Sequence, residues 1–254
     1  MDNLTTVVFS YNNENIVENC LKSAQLLTKN VILIDQKSTD KTVLLAKRMS
    51  VTVLDFPNHH YVEPAREFGI NKSTTDWVFI LDADERITPE LVREIRNSKF
   101  EIRKFSYYKV PRKNIFINRW LKHGGWWPDH QIRLINKKFF KAWPKEIHST
   151  PIIDGNGGSL KQSLIHYFHG DFASMVNKTI IFEDIESDLL YNAGKKATTL
   201  TFFRKFLAEL CRRLFKNLGF LDGSIGIIES IYQAFSKTIT YLLLYEKKKN
   251  SCSV

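Results

Sequence analysis

The first hundred residues alternate between short apolar runs and amphipathic stretches that follow polar turns. The runs are mostly β-branched and predict strands at Leu4–Phe9, Val31–Ile34, Val51–Leu54 and Trp77–Leu81. The stretches after them predict helices at about Glu14–Leu27, Lys41–Met49, Glu63–Lys72 and Pro89–Arg96. Thr88 is the expected N-cap of the last helix. Strands that alternate with helices, together with continuous apolar runs, predict an α/β fold with a mostly parallel central sheet and helices on both faces.

The alternation is lost after residue 100, where aromatic and basic residues lie between glycines and prolines, and we predict an irregular segment. From about Met175 the pattern is helical again. Apolar positions such as Phe203 and Leu207 alternate with arginines and lysines, which predicts amphipathic C-terminal helices. We therefore divide the chain into residues 1–100, 101–174 and 175–254, and we expect the helices of the last part to contact a membrane surface or, alternatively, to pack on the catalytic domain or a second subunit.

Composition indicates a folded chain, because 43% of the 254 residues are hydrophobic. The formal net charge is +10, and residues 96–145 contain 14 Lys and Arg against two acids. Such a stretch favours a polyanionic partner, namely nucleic acid, a diphosphate or an anionic membrane, although single lysine clusters also fit a solvated surface. Three scattered cysteines predict a reducing compartment. We expect neither a secretory signal nor a membrane span, since no uncharged apolar run approaches about 18 residues.

Two carboxylates, Asp82 and Asp84, follow the fourth predicted strand and are separated only by Ala83. In parallel sheets ligands bind beyond the carboxyl ends of the strands. A D-x-D pair at this place suits a hard cation, Mn²⁺ or Mg²⁺, that bridges a diphosphate. The alternative is that both residues form the turn and cap before Thr88.

The first two predicted strands end in further polar residues. Asp35 follows the second strand and is placed to accept a hydrogen bond from a base or ribose. Ser10 and Tyr11 end the first strand with a hydroxyl group and an aromatic face. Three strand ends thus converge on one predicted nucleotide-sized site.

These blocks resemble glycosyltransferase family 2 in order and spacing; they are Val7–Asn12, Ile34–Asp40, Ala65–Gly69 and Asp76–Glu85. Later blocks are similar to the lipopolysaccharide-core glucosyltransferase branch of that family; they are Trp127–Leu134, Ile147–His148, Leu164–Tyr167 and Gly219–Gly223. The resemblance implies a GT-A fold and inverting sugar transfer from a nucleoside-diphosphate sugar with a divalent metal. Gln36 and Lys37 depart from the family, which usually has a small or acidic residue followed by Gly, and Glu67 stands where Asn is common.

The resemblance also implies roles for single residues. Residues 1–100 would bind the nucleotide sugar and residues 101–174 the acceptor. Tyr11 and Asp35 would contact the nucleobase, with Ser10 in the same pocket. Arg66 would lie on the nucleotide side, and Asp82 would contact the ribose and diphosphate. Asp84 would bind the metal. Among His148, His166 and His169, we select His166 as a further metal ligand; the alternative is a hydrogen-bonded structural histidine.

In-line displacement at an anomeric carbon needs one general base near the acceptor hydroxyl. Asp129 is the only acid between Glu101 and Glu146, and we nominate it as that base. The alternative is a turn residue or a salt bridge to Arg133.

Four neighbours of Asp129 in the sequence are candidates for the acceptor site. Gln131 and Arg133 are assigned to the acceptor or pyrophosphate. Trp126 and Trp127 are assigned to stacking on a sugar, which core packing explains equally well.

The expected partners are a UDP-sugar, a saccharide or lipid-linked acceptor such as lipopolysaccharide core, and an anionic membrane surface. A protein acceptor is an alternative. The expected location is cytoplasmic, peripheral on the inner membrane. A competing interpretation of the basic stretch is a nucleic-acid-binding protein or metal-dependent nucleic-acid enzyme. The strand-end acids would repel phosphate without a metal, so we expect no nucleic acid. A non-catalytic scaffold is a third interpretation, which the intact acids disfavour.

Overall fold

The structure, a computed structural model, describes residues 3–97, 104–168 and 172–251. Within the described part of the chain, the strands are β1 (Leu4–Ser10), β2 (Val31–Asp35), β3 (Thr52–Asp55), β4 (Trp77–Asp82), β5 (Glu85–Ile87), β6 (Tyr107–Phe116), β7 (Arg119–Trp120), β8 (Asp129–Asn136), β9 (Phe140–Ala142), β10 (Ile152–Ile153), β11 (Gly157–Ser159) and β12 (Leu164–Tyr167). The α-helices are α1 (Val17–Leu27), α2 (Thr42–Arg48), α3 (Glu63–Lys72), α4 (Pro89–Asn97), α5 (Phe172–Asn192), α6 (Thr199–Cys211) and α7 (Gly223–Ser251). His169 and Cys252 lie outside the described residues.

The chain forms two compact units. Unit 1 comprises residues 1–113 and 129–166, and unit 2 comprises residues 114–128 and 167–254. The predicted roles of 1–100 and 101–174 as donor and acceptor halves stay predictions.

The main sheet has the strand order β3-β2-β1-β4-β8-β6-β12-β5. The first four of these strands are parallel, and β8 pairs antiparallel with both β4 and β6. The predicted α/β class with a mostly parallel sheet is confirmed. The four predicted strands and helices of the first hundred residues are all present. Helix α1 begins at Val17 rather than Glu14, because Glu14 is engaged by the loop that precedes α2. The Glu14 carboxylate accepts the backbone N–H of Lys41, and the backbone N–H of Glu14 donates to Asp40.

The prediction of an irregular segment after residue 100 was wrong. Strands β6 and β8 form a long antiparallel pair in which Arg112 lies opposite Asp129. Pro111 lies inside β6, and the pairing is interrupted between Tyr108 and Lys109. Both features conceal the regular pattern of a strand, since proline is rare inside sheets.

Helices cover both faces of the parallel strands, as predicted. One apolar cluster joins α1 and α4 to one face, and a second joins α3 to the other. Gly69 lets α3 approach β1 closely, because a Cβ there would lie 2.7 Å from Cγ1 of Val7. This close approach brings Arg66 of α3 against Phe9.

Unit 2 is helical, with α7 packed against both α5 and α6. Its apolar cluster comprises Phe116, Leu121, Phe168 and Met175. None of the helices in the described ranges is long and apolar enough to cross a membrane.

Candidate active site

The ends of β1 and β2 place Ser10 and Asp35 side by side. The two residues are register partners, and both are buried. Oδ2 of Asp35 accepts the N–H of Ser38 at 2.9 Å, whereas Oδ1 has no hydrogen-bond partner among the described residues. A buried carboxylate oxygen without a partner is costly, so it marks a position for an external donor.

The loops after β1 and β2 are tied together next to this carboxylate. The N–H of Asn12 donates to Oγ of Ser38, and Oδ1 of Asn12 accepts the N–H of Thr39. Tyr11 lies in the first of these loops and is exposed. Lys37 adopts a left-handed backbone with φ 67°, a conformation that suits the Gly which the family resemblance implies at this position.

Asp82, at the end of β4, is bound by two arginines. Arg66 contacts both of its oxygens, with Nη1–Oδ1 at 2.8 Å and Nη2–Oδ2 at 3.0 Å, and Nη2 of Arg133 lies 2.9 Å from Oδ2. Burial alone would raise the pKa of Asp82, but Arg66 and Arg133 hold that pKa far below its ordinary value. The Arg66 guanidinium also lies 4.8 Å from the centre of the Phe9 ring. Asp82 is therefore ionised and fixed.

Alternating carboxylates and arginines continue from Asp82 toward β6 and β8. We call this network the arginine ladder; it comprises Arg66, Asp82, Arg133, Glu85, Arg112 and Asp129. Arg133 also contacts Glu85, which is fully buried. Nη1 of Arg112 lies 3.2 Å from Oε1 of Glu85, and Nη2 of Arg112 lies 2.7 Å from Oδ2 of Asp129. Arginines and carboxylates alternate along this arginine ladder, so each buried charge has an opposite neighbour, as burial of ions requires.

Asp129 is held at the start of β8 by defined partners. Its Oδ2 accepts N–H bonds from Arg112, and its Oδ1 accepts the amide of Gln131 at 2.8 Å. Asp129, Gln131 and Arg133 occupy every second position along β8, so their side chains share one face of the sheet. The ion pair that the sequence suggested with Arg133 is instead made with Arg112, which lies across from Asp129 on β6.

Asp84 lies near a histidine, whereas Asp82 is bound by arginines. Oδ2 of Asp84 lies 3.6 Å from Nε2 of His166, and both side chains are partly exposed. Within the described residues there is no cluster of three or more Asp, Glu, His and Cys side chains that would hold a metal. Mg²⁺ and Mn²⁺ often take few protein ligands and fill their octahedron with phosphate and water. Two adjacent octahedral ligands at about 2.1 Å lie about 3 Å apart, so Asp84 and His166, now 3.6 Å apart, would have to move closer together to hold one cation of this kind.

Trp126 and Trp127 belong to unit 2, whereas the other predicted site residues belong to unit 1. The Trp126 ring lies 4.6 Å from that of Phe168, and Trp127 meets Trp120 edge to face at 5.2 Å. Both tryptophans thus pack in unit 2, and their contact with an acceptor stays a prediction.

The sequence reasoning did not identify Glu85 and Arg112 as members of the site. Glu85 directly follows the D-x-D motif, and an acid inside a buried strand should have indicated a buried ionic partner. Arg112 had no local signal. Glu67, which departs from the family pattern, accepts the N–H of Trp143 at 3.0 Å and holds that loop.

Residues 5–168, more than half of the chain, match the sequence model of glycosyl transferase family 2. The chain belongs to this family. In this family 2 glycosyltransferase Asp82 ends β4, and the carboxyl end of a parallel strand is where ligands generally bind in such sheets. The match favours the transferase interpretation over nucleic-acid binding.

Curated relatives align along nearly the whole family 2 chain. An uncharacterized glycosyltransferase of Rickettsia typhi is 26% identical over 274 residues, with 100% of this chain and 90% of the relative covered. The lipopolysaccharide core biosynthesis glycosyltransferase LpsC of Rhizobium meliloti is 23% identical over 260 residues, with 96% and 92% covered.

Solved structures share the fold of this family 2 enzyme. Staphylococcus aureus TarS 1–349 in complex with UDP-GlcNAc has a TM-score of 0.51 at 12% identity, covering 98% of this chain and 92% of that one. Mycobacterium tuberculosis glucosyl-3-phosphoglycerate synthase, in complex with Mn²⁺, UDP and phosphoglyceric acid, has a TM-score of 0.51 at 13% identity, covering 77% and 80%. These likenesses confirm the GT-A architecture.

Proposed function

We propose that this enzyme transfers a sugar, with inversion, from a UDP-sugar to a saccharide of the cell envelope such as lipopolysaccharide core. One observation carries the donor assignment. Asp35 is buried at the sheet edge that also ends in Asp82, and its Oδ1 has no partner among the described residues. That oxygen suits the ring N–H of uracil, which donates one hydrogen bond.

The donor pocket takes its remaining parts from the neighbouring loops. Tyr11 supplies an exposed aromatic ring to the base, and Ser10 lies beside Asp35 on the adjacent strand. Arg66 fixes Asp82, so that this carboxylate faces the ribose and diphosphate without changing protonation. The UDP-GlcNAc complex of TarS supports a uracil nucleotide, because that protein shares the fold.

Asp84 and His166 would hold a divalent cation, Mn²⁺ or Mg²⁺. When bound, such a cation neutralises the charge that develops on a departing nucleoside diphosphate. The Mn²⁺ complex of glucosyl-3-phosphoglycerate synthase supports this assignment.

Asp129 is the proposed general base. Arg112 and Gln131 fix its two oxygens, so the carboxylate is oriented before the acceptor binds. It takes the proton from the acceptor hydroxyl as that oxygen attacks the anomeric carbon, and the sugar–phosphate bond breaks on the opposite face. Inversion follows from this single displacement.

The acceptor assignment comes from LpsC, whose name places it in lipopolysaccharide core biosynthesis. Gln131 and Arg133 on β8, with Trp126 and Trp127, are the proposed acceptor contacts. A saccharide of this kind is built on a lipid, so we propose a cytoplasmic enzyme that works at the inner membrane.

Purified protein incubated with Mn²⁺ and a panel of UDP-, GDP- and dTDP-sugars tests the donor assignment. We expect UDP release only from UDP-sugars, stimulated by core saccharide, and an inverted linkage by NMR. Asp84→Asn should lower the rate by at least about 100-fold, as the loss of an essential charge does. The matched control is Asp154→Asn, an exposed acid paired with Lys141. Equal rates with all nucleotides, or full activity of Asp84→Asn, would contradict the proposal.

A further inference from the structure

The segment between α6 and α7 exposes an unusual set of large apolar side chains. We call residues 212–231 the hairpin tip; it comprises two short helical turns, Arg212–Lys216 and Gly219–Asp222, and the start of α7. Its exposed apolar residues are Phe215, Leu218, Phe220, Leu221, Ile227, Ile228 and Ile231. Single exposed hydrophobic residues are ordinary, but a concentration of this size in one short segment marks an interaction surface.

The hairpin tip is held in place by buried polar contacts. The carboxylate of Asp222 accepts the N–H groups of Lys122 at 2.9 Å and His123 at 2.8 Å, and its other oxygen lies 2.8 Å from Nδ1 of His123. Gly226 lies so close to the preceding turn that a Cβ there would be 2.1 Å from the carbonyl oxygen of Gly219. The exposed apolar side chains are therefore displayed by an ordered frame.

The backbone conformation of Leu218 also indicates that the hairpin tip is an interaction surface. This residue adopts a left-handed conformation with φ 57°, and its side chain is exposed. Left-handed backbone is unfavourable for a bulky residue, and such strain clusters at functional positions. The exposed side chain gains no burial that would offset this strain.

The charge around the hairpin tip is positive. Arg212 and Lys216 are exposed, and the Arg119 guanidinium lies against Gly223. The only acids of the segment, Asp222 and Glu229, are buried.

The nearest acid in α6 is also neutralised. Glu209 contacts both Arg212 and Arg213, so two positive charges face one negative charge. A partner that reaches the apolar residues of the hairpin tip therefore also meets cations.

We propose that the hairpin tip docks this protein on an anionic lipid membrane. The apolar side chains enter the interface while Arg119, Arg212 and Lys216 meet acidic headgroups, which is the pattern of peripheral membrane segments. A second copy fits this surface poorly, because symmetric pairing would bring the same cations face to face. The proposal does not rest on the sugar-transfer reaction.

Sedimentation of the full chain with vesicles tests the proposal directly. The vesicles contain phosphatidylcholine alone or an equal mixture with phosphatidylglycerol. We expect binding only to the mixture, weakened by salt. The double variant Phe220→Ser/Leu221→Ser should lower the partition constant at least about tenfold. Lys216→Gln should lower the partition constant about fivefold, because one cation near an anionic surface contributes about 1 kcal/mol to binding.

Matched controls come from exposed residues of unit 1, Ile152→Ser for the apolar change and Lys22→Gln for the charge. Both should bind as the unaltered protein does. Circular dichroism should show an unchanged melting temperature for the double variant, since both replaced side chains are exposed.

Failure of the unaltered protein to bind the mixed vesicles would overturn the proposal, as would equal binding by the hairpin-tip variants. Light scattering after gel filtration gives a third outcome. A dimer that the double variant converts to monomer would assign the surface to a second copy and refute membrane docking. Vesicle binding is measured without substrate, so its failure is distinct from failure of the transferase assay.

Discussion

Arg133→Met tests whether the arginine ladder holds the site together. Arg133 is 4% exposed, and one of its nitrogens serves both Asp82 and the fully buried Glu85. Methionine preserves most of the length of the side chain and removes the charge. Among the described residues, Arg66 then still pairs with Asp82 and Arg112 with Glu85.

Removing one member of a buried ion pair costs about 3–5 kcal/mol, because the other charge stays buried. We expect a loss of about 3 kcal/mol at pH 7, the low end, since each carboxylate keeps one arginine. In the unaltered protein the pKa of Asp82 is lowered, so its contribution to stability is present above its ordinary pKa and is lost as the pH falls below that value. In the variant, protonation of the poorly paired carboxylates favours folding, so part of the loss returns at pH 5.

Urea unfolding followed by circular dichroism at pH 7 and pH 5 measures both effects. The double variant Arg133→Met/Glu85→Gln should recover much of the loss, because it removes the stranded charge. Arg93→Met is the matched control, since Arg93 forms an exposed pair with Glu90, and should change the free energy of unfolding by less than about 1 kcal/mol. A loss below about 1 kcal/mol for Arg133→Met, equal at both pH values, would refute the buried ladder.

Three further predictions concern single residues. Burial raises the pKa of Glu229 to about 7 from an ordinary 4.5, so the ionised form disfavours folding and stability falls by about 3 kcal/mol as the pH rises through this range. Glu229→Gln should remove that fall. Urea unfolding at pH 5 and pH 8 measures it, and a variant whose free energy of unfolding falls between the two pH values as much as that of the unaltered protein would contradict the prediction. Gly69→Ala should destabilise by about 1–3 kcal/mol through its clash with Val7, measured by thermal melting, and an unchanged melting temperature would contradict this crowding. Asp129→Asn should lower kcat at least about 100-fold with little change in the affinity for UDP by calorimetry, whereas retained kcat would remove Asp129 from the chemistry.

The first hundred residues of the fold were predictable because their signals are local. Continuous apolar runs locate β1, β2 and β4, and the polar residue that ends each run is the one that the structure places at the sheet edge. Thr88 caps α4 as expected, accepting the N–H of Leu91. Short-range periodicity and capping chemistry are sufficient for such elements.

The ladder was not predictable because its contacts depend on register between distant strands. Asp129 pairs with Arg112 only because β6 and β8 place them opposite each other. The motif Asp82-Ala83-Asp84 does not reveal that its two acids take different partners, Arg66 and His166. The family resemblance did carry a usable signal at Lys37, since the Gly that it implies there indicates a left-handed backbone.

The placement of three polar side chains on one face of β8 limits how the chain can change in length. A residue inserted within β8 would invert the alternation and turn the side chains beyond it toward the opposite face. The connection at residues 193–198 between α5 and α6 is largely exposed and takes no part in that pairing. Length variants are therefore expected to be tolerated there and to abolish activity when they fall within β8.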